Sequence, residues 1–187
     1  MKKIIVLFLL LTIGFISCKN SEKNIDRVEI AKQYFKVLDN SDYSQMSDWF
    51  ADSLKTIEGE HINTYSKNDY LEFLKWDSVF DPNYKILEIE QKDGIVYAKI
   101  SKTDKRIFFL HEKPFITNQI VNFQKDKITS VETDYLNFDY QNWEKNKNSL
   151  LSWIDKNHPE LNGFINEQTE AGGKKFLKAL ELYKNKK

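Results

Sequence analysis

The spacing of apolar residues changes from helical to strand-like near Asp81-Pro82, and this change most limits the folds open to the chain. Before it, apolar side chains recur every three or four residues, as in amphipathic helices. After it, they alternate with polar side chains in runs joined by short turns, as in antiparallel strands. From about residue 137 the helical spacing returns. Helices separated in this way from a block of strands indicate an α+β fold.

Three helices and one short strand are predicted before the change. The first helix covers about residues 25–38, and a strand covers residues 54–60. Ser66 is predicted to cap the third helix, with Asp69 in the capping-box position. Between the first helix and the strand, a short helix presents one apolar face, formed by Tyr43, Met46, Trp49 and Phe50.

Two hairpins are predicted after the change. The Asp93-Gly94 pair is a strong hairpin signal, and residues 124–126 join the second pair of strands. A further strand is predicted over residues 106–111. The four hairpin strands cover residues 84–91, 95–101, 114–123 and 127–136. Beyond them, helices are predicted in the tail, with Pro159 at a first helical position.

Residues 25–136 resemble the nuclear transport factor 2-like, or ketosteroid isomerase-like, superfamily. The resemblance lies in the element order and in Val28-Glu-Ile-Ala-Lys-Gln-Tyr-Phe-Lys-Val-Leu, followed by Asp39-Asn-Ser-Asp-Tyr and Trp49-Phe-Ala-Asp. It implies a cone-shaped, cystatin-like roll, in which a curved antiparallel sheet wraps around the long N-terminal helix and leaves a pocket at its open end. Residues 137–187 are an addition to this unit, and we expect them to pack on it as helices.

The N-terminus has the layout of a secretory signal, with Lys2 and Lys3 before an apolar run. The uncharged stretch of residues 4–17 is shorter than the ~20 apolar residues that cross a bilayer. Phe15-Ile16-Ser17-Cys18 resembles a lipobox, although Phe15 stands where Leu is usual. The resemblance implies that residues 1–17 are a cleaved signal peptide and that Cys18 is acylated. Residues 18–24 would then be the lipidated cysteine and a polar tether.

Cys18 is the only cysteine of the chain, so an internal disulfide is excluded. The alternative is a cysteine that lies by chance near an ordinary cleavage site. Lipidation would hold the protein at a membrane of the bacterial cell envelope. Lys19 is compatible with the outer membrane, with the domain facing the periplasm or the cell surface.

The composition indicates neither a nucleic-acid partner nor a bound metal or cofactor. Removal of residues 1–17 takes away two lysines and no acid, which lowers the formal net charge from zero to about −2. His61, His111 and His158 are too far apart to form a metal-binding motif. Gly172-Gly173 lacks the Lys-Ser/Thr pair of a phosphate-binding loop.

The candidate pocket residues are mainly aromatic, because Trp and Tyr combine an apolar body with a polar group. They lie on elements that line the pocket in the family: Trp49, Tyr65, Tyr70, Trp76, Tyr97 and Tyr135. Glu58 and Asp134 are the candidate carboxylates, and His61 and His111 are candidates for the pocket rim. The simpler interpretation places most of the aromatics in the core. It places the strand acids on a solvated sheet face, where alternation puts Glu132 beside Asp134.

Three functions are open. The first is a lipid-anchored protein that binds a small ligand or a protein partner without catalysis, because the sequence shows no acid/base, nucleophile or metal constellation. The second is a small-molecule isomerase or dehydratase of the kind the resemblance implies, although no base-and-Tyr trio of that family can be placed on these residues. The third is an assembly subunit that forms a homodimer through the outer face of the sheet.

Overall fold

The fold is described by a computed structural model, which describes residues 26–44 and 46–186. The signal peptide, the lipidated Cys18 and the tether were predicted on residues 1–24 and lie outside the described residues. Within the described part of the chain, no helix is both long enough and apolar enough to cross a membrane.

Helix α1 (Arg27–Asn40) forms the centre of the roll. Asp26 caps it, with a side-chain oxygen that accepts a hydrogen bond from the Glu29 N–H at 3.2 Å. The helix ends where Ser41 takes a left-handed backbone conformation. Its buried side chains follow helical spacing and form one stripe, consisting of Ala31, Tyr34, Phe35 and Leu38.

The segment after α1 differs from the prediction. The short helix is only a 3₁₀ turn, Met46–Trp49, and strand β1 (Phe50–Glu58) begins directly after it. The turn at Gly59-Glu60 leads into an unpredicted edge strand, β2 (His61–Ser66). Most of β2 is exposed, so it lacks the alternation of apolar and polar residues by which a strand is recognised.

Helix α2 (Lys67–Ser78) begins at the predicted cap. The Ser66 hydroxyl accepts a hydrogen bond from the Asp69 N–H at 3.2 Å and donates one to the Asp69 carboxylate at 2.7 Å. The predicted start of the helix is therefore confirmed.

Both predicted hairpins are confirmed, as β3 (Asn83–Lys92) with β4 (Ile95–Thr103) and β5 (Phe115–Gln124) with β6 (Lys127–Tyr135). Asp93 and Gly94 have φ values of 52° and 80°. Positive φ at both central residues is the requirement of a type I′ turn, which explains the strong Asp-Gly signal.

The strand predicted over residues 106–111 is wrong, because that segment forms helix α3 (Lys105–Leu110). The buried Asp104 carboxylate caps the helix by accepting a hydrogen bond from the Ile107 N–H at 2.5 Å. Ile107 and Leu110, one helical turn apart, then both point into the core.

The six strands form one sheet in the order β2-β1-β6-β5-β4-β3. Every neighbouring pair is antiparallel except β1 and β6, which are parallel. The sheet was predicted to be antiparallel, and this one pair departs from the prediction. Irregularities in β1, β3 and β6 help the sheet to curve. The face that packs on α1, which carries Val96, Ala98 and Ile100, is called the inner face, and the opposite one the outer face.

The C-terminal part contains α4 (Tyr140–Asn157), 3₁₀ turns at Pro159–Leu161 and Phe164–Asn166, and α5 (Glu170–Lys184). These elements form a second core with Trp76, Phe80 and Leu110, separate from the core between α1 and the sheet. Gly173 permits this packing, because a Cβ there would lie 3.0 Å from the Trp76 carbonyl oxygen.

Candidate functional site

A cavity of about 220 Å³ lies between α1, α2 and the inner face of the sheet. Apolar side chains such as Leu38, Leu74 and Val131 form part of its wall. The polar side chains that line it come from nearly every element of the roll and from the C-terminal segment. They are Tyr34, Thr56, Glu58, Tyr70, Asp77, Tyr84, Lys102, Arg106, Gln119, Thr133 and Gln168.

Asp77, at the end of α2, is the most buried acid of this cavity, with 4% of its surface exposed. The Lys102 ammonium donates to both carboxylate oxygens, at 2.7 and 2.9 Å, and the Tyr84 hydroxyl donates to one of them at 3.1 Å. Burial alone would raise the pKa of Asp77. The charges of Lys102 and Arg106, with the hydrogen bonds from Lys102 and Tyr84, instead hold the pKa below its ordinary value.

Arg106 connects this ion pair to the second core. Its Nη2 donates to Asp104 at 3.1 Å and lies 3.6 Å from the Asp77 carboxylate. The guanidinium carbon lies 4.6 Å from the Trp76 ring centre and 5.1 Å from that of Phe80. Two buried donors, Arg106 Nε and Trp76 Nε1, have no hydrogen-bond partner among residues 26–44 and 46–186.

Two tyrosine hydroxyls meet inside the cavity, where the Tyr34 and Tyr70 oxygens are 2.7 Å apart. Burial raises the pKa of both phenols above the ordinary value. Both therefore remain protonated at neutral pH and supply hydrogen-bond donors and acceptors without charge.

Glu58, at the end of β1, supplies the second carboxylate of the cavity, and it is exposed. The Tyr135 hydroxyl donates to it at 3.2 Å. Partial burial and the neighbouring Glu58 charge raise the pKa of Tyr135. His61 pairs with Glu58 in the β1–β2 register but is exposed on the edge strand.

The other candidates are distributed over the molecule. Tyr70 and Trp76 line the cavity, whereas Trp49 and Tyr65 are half-buried and pack against the main core. Tyr65 lies 5.7 Å from the rings of both Tyr70 and Phe73. The structure thus brings Glu58, Tyr70 and Trp76 together in one cavity, with Tyr135 beside Glu58.

Tyr97 and Asp134 lie on the outer face, where they line a groove of about 640 Å³. The charged side chains of this groove are four acids and one base: Glu88, Glu90, Glu132, Asp134 and Lys99. No cluster of His, Cys, Asp or Glu within the described ranges has the geometry of a metal site. The groove is a solvated acidic surface.

His111 is buried and joins the sheet to the C-terminal helices. Its Nε2 accepts a hydrogen bond from the Asp139 N–H at 2.9 Å and lies 3.1 Å from the Asn137 carbonyl oxygen, and Nδ1 lies 2.9 Å from the Lys113 carbonyl oxygen. With both ring nitrogens engaged by the backbone, His111 holds the junction together rather than lining the cavity.

Sequence reasoning missed the ion pair, although each partner left a signal. Asp77 follows Tyr70 and Leu74 at helical spacing, which places an acid on the apolar stripe of α2. Lys102 continues the inward alternation of Ala98 and Ile100. A charged residue on an apolar face indicates a buried partner, but neither pattern identifies that partner.

No protein-family profile and no curated protein matches the sequence. Solved structures do match its fold. A putative ketosteroid isomerase from Kribbella flavida superposes with a TM-score of 0.51 at 11% identity, over 60% of this chain and 79% of that one. An uncharacterized cystatin fold protein from Novosphingobium aromaticivorans gives 0.50 at 15% identity, over 59% and 98%.

A third similar structure is that of SalBIII, an epoxide hydrolase/cyclase-like enzyme described for its role in pyran ring formation in polyether salinomycin. It gives a TM-score of 0.50 at 12% identity, over 58% of this chain and 89% of that one. At these identities the likeness shows the fold alone. The predicted α+β fold with a curved sheet and helices is confirmed. Its structural neighbours include proteins described as a putative ketosteroid isomerase and as an epoxide hydrolase/cyclase-like enzyme.

Proposed function

We propose that this protein binds a small hydrogen-bonding ligand in the inner cavity without transforming it. The proposal rests on the ion pair and the lowered pKa of Asp77. A general base needs a pKa near the operating pH, whereas the Asp77 carboxylate is fixed in an ion pair with a lowered pKa. Both of its oxygens accept hydrogen bonds, from Lys102 and Tyr84, so the more buried of the two described carboxylates of the cavity is not free to act as a base.

The rest of the cavity favours a small polar ligand. Its volume of about 220 Å³ is below the ~300–1,000 Å³ of sites for drug-sized molecules. The tyrosine pair, Thr133 and Gln119 offer both donors and acceptors at its wall. Such uncharged groups can fix the orientation of a bound molecule without reacting with it.

Binding and turnover can be measured in one experiment. Small ketones, carboxylic acids and phenols are screened against the protein by ligand-observed NMR, and each spectrum is repeated after a day. We expect some compounds to bind and none to be converted, with binding weakened about tenfold in Tyr70→Phe through loss of one hydrogen bond. Lys85→Gln, on the surface of β3, is the matched control and should bind as the wild type does.

Glu58 favours an alternative, a small-molecule isomerase or dehydratase. Its carboxylate lines the same cavity as the Tyr34–Tyr70 hydroxyl pair, so a base and uncharged donors face one space. Conversion of any screened compound, abolished by Glu58→Gln while binding persists, would establish this alternative and overturn the non-catalytic proposal.

We further propose that the cavity is presented in the cell envelope by a lipid on Cys18, as the lipobox-like sequence supports. Labelling with a radioactive fatty acid should mark the wild type and leave Cys18→Ser unmarked. Equal labelling of the two proteins would exclude Cys18 as the anchor.

The outer sheet face remains the proposed surface for a protein partner or a homodimer, and a dilute monomer in light scattering would exclude the homodimer.

A further inference from the structure

A second cavity, of about 540 Å³, lies between the roll and the C-terminal helices. Trp76, Arg106 and Gln168 line both this cavity and the inner one. The opposite wall comes from α4 and from the segment that leads into α5. This space, which we call the junction cavity, exists only because the C-terminal helices pack on the roll.

The charges that line the junction cavity are all positive. Arg106 and Lys147 contribute to its wall, and Asn166 and Gln168 add two amides, whereas no carboxylate of the described residues lines it. The acids that balance these cations lie behind the wall. Asp104 and Asp77 lie beside Arg106, and Glu144 pairs with Lys147 along α4. The junction cavity therefore favours an anion or another hydrogen-bond acceptor.

Two donors without a partner belong to side chains that line this cavity. Trp76 is 5% exposed, and its Nε1–H has no acceptor within the described part of the chain. The same holds for Nε of Arg106. A buried donor without an acceptor costs free energy, and one oxygen-bearing group between Trp76 and Arg106 would remove that cost for both.

The remaining wall is apolar. Leu110, Trp143, Leu151, Ile165 and Phe176 line the cavity beside the polar groups. Its volume falls within the ~300–1,000 Å³ typical of small-molecule sites. A ligand that fits both parts of the wall has a polar head and an apolar body.

We propose that the junction cavity binds an amphipathic monocarboxylate. The carboxylate accepts hydrogen bonds from Trp76 Nε1 and Arg106 Nε, and the apolar body packs against Trp143, Leu151 and Ile165. This site is distinct from the one proposed in the inner cavity, and binding here requires no activity there. The C-terminal helices thereby acquire a binding role in addition to their packing.

Calorimetric titration with octanoate tests the proposal, with 1-octanol as the uncharged probe of equal chain length. The full chain is used as Cys18→Ser, so that no acyl chain of its own competes. We expect one octanoate per chain and at least tenfold weaker binding of 1-octanol. Trp76→Phe should weaken octanoate binding about tenfold, since one charge-assisted hydrogen bond is lost.

Variants of the junction cavity separate it from the inner one. Ile165→Trp fills the junction cavity and Lys147→Met removes a cation from its wall, so each should weaken octanoate binding at least tenfold. Thr133→Val changes only the inner cavity and should bind octanoate as the parent does. Undiminished binding to Ile165→Trp, equal binding of 1-octanol, or loss of binding in Thr133→Val would overturn the proposal. If Ile165→Trp does not fold, as judged by circular dichroism, Lys147→Met decides.

Discussion

The two faces of the sheet carry matched ion pairs in opposite surroundings. On the inner face, Lys102 of β4 pairs with the buried Asp77 at 2.7 Å. On the outer face, Lys99 of the same strand pairs with Glu88 at 3.5 Å. The side chains of the outer pair are 37% and 74% exposed, against 18% and 5% for the inner one.

This difference assigns different roles to similar residues. Water and salt screen the outer pair, so its contribution to stability is small. The inner pair is largely buried, so its charges are screened much less and depend on one another. The outer charges therefore act mainly on solubility, whereas the inner charges contribute to the shape and polarity of the cavity.

Breaking the inner pair should have the largest effect. In Asp77→Asn, the buried Lys102 keeps only the Asp104 carboxylate, at 4.0 Å, which should lower the free energy of unfolding by about 3–5 kcal/mol. Urea denaturation followed by tryptophan fluorescence measures this change. A loss below about 1 kcal/mol would show that water reaches the pair and that the two faces do not differ as described.

The inner pair should also make stability depend on acid pH. The folded-state pKa of Asp77 is lowered, whereas the unfolded value is about 3.9. The pair therefore contributes fully above about pH 5, and its contribution is lost as the pH falls through about 4 and below. The free energy of unfolding should decrease over this range more steeply in the wild type than in Asp77→Asn. Parallel curves from urea titrations between about pH 6 and 3 would contradict the lowered pKa.

Much of the fold could be predicted because it depends on local patterns. The caps at Asp26 and Ser66 and the turn at Asp93-Gly94 are determined by residues a few positions apart. Helix α3 was predicted as a strand although its Asp104 cap is local, because its unbroken apolar run, residues 107–110, shows no helical spacing and is buried against distant elements. Strand β2 has no buried face and left no pattern to recognise.

Less of the candidate site could be predicted. Tyr70, Trp76 and Glu58 were candidates through their residue type and element. The Asp77–Lys102 pair joins the end of a helix to a strand 25 positions away, and its distance depends on how the sheet bends. The junction cavity depends on how α4 and α5 pack against Trp76, which no local pattern encodes.

The tyrosine pair should have an intermediate effect. Tyr34→Phe leaves the buried Tyr70 hydroxyl without its partner at 2.7 Å, which should cost about 1–3 kcal/mol of unfolding free energy. Tyr70→Phe should cost a similar amount, and the double variant less than the sum, because no unpartnered hydroxyl then remains. Urea denaturation of the three variants completes this cycle, and strict additivity would show that the hydroxyls do not depend on each other.

Breaking the outer pair should have the smallest effect. Glu88→Gln keeps the shape of the side chain and removes one exposed charge beside Lys99, so the free energy of unfolding should change by less than about 1 kcal/mol. The change should shrink further in about 1 M salt, where screening acts within ~3 Å. The corresponding loss in Asp77→Asn should largely persist in salt, because a buried pair is screened much less than an exposed one. A salt-insensitive loss in Glu88→Gln as large as that in Asp77→Asn would mean that the outer face is covered in solution, as the proposed homodimer requires.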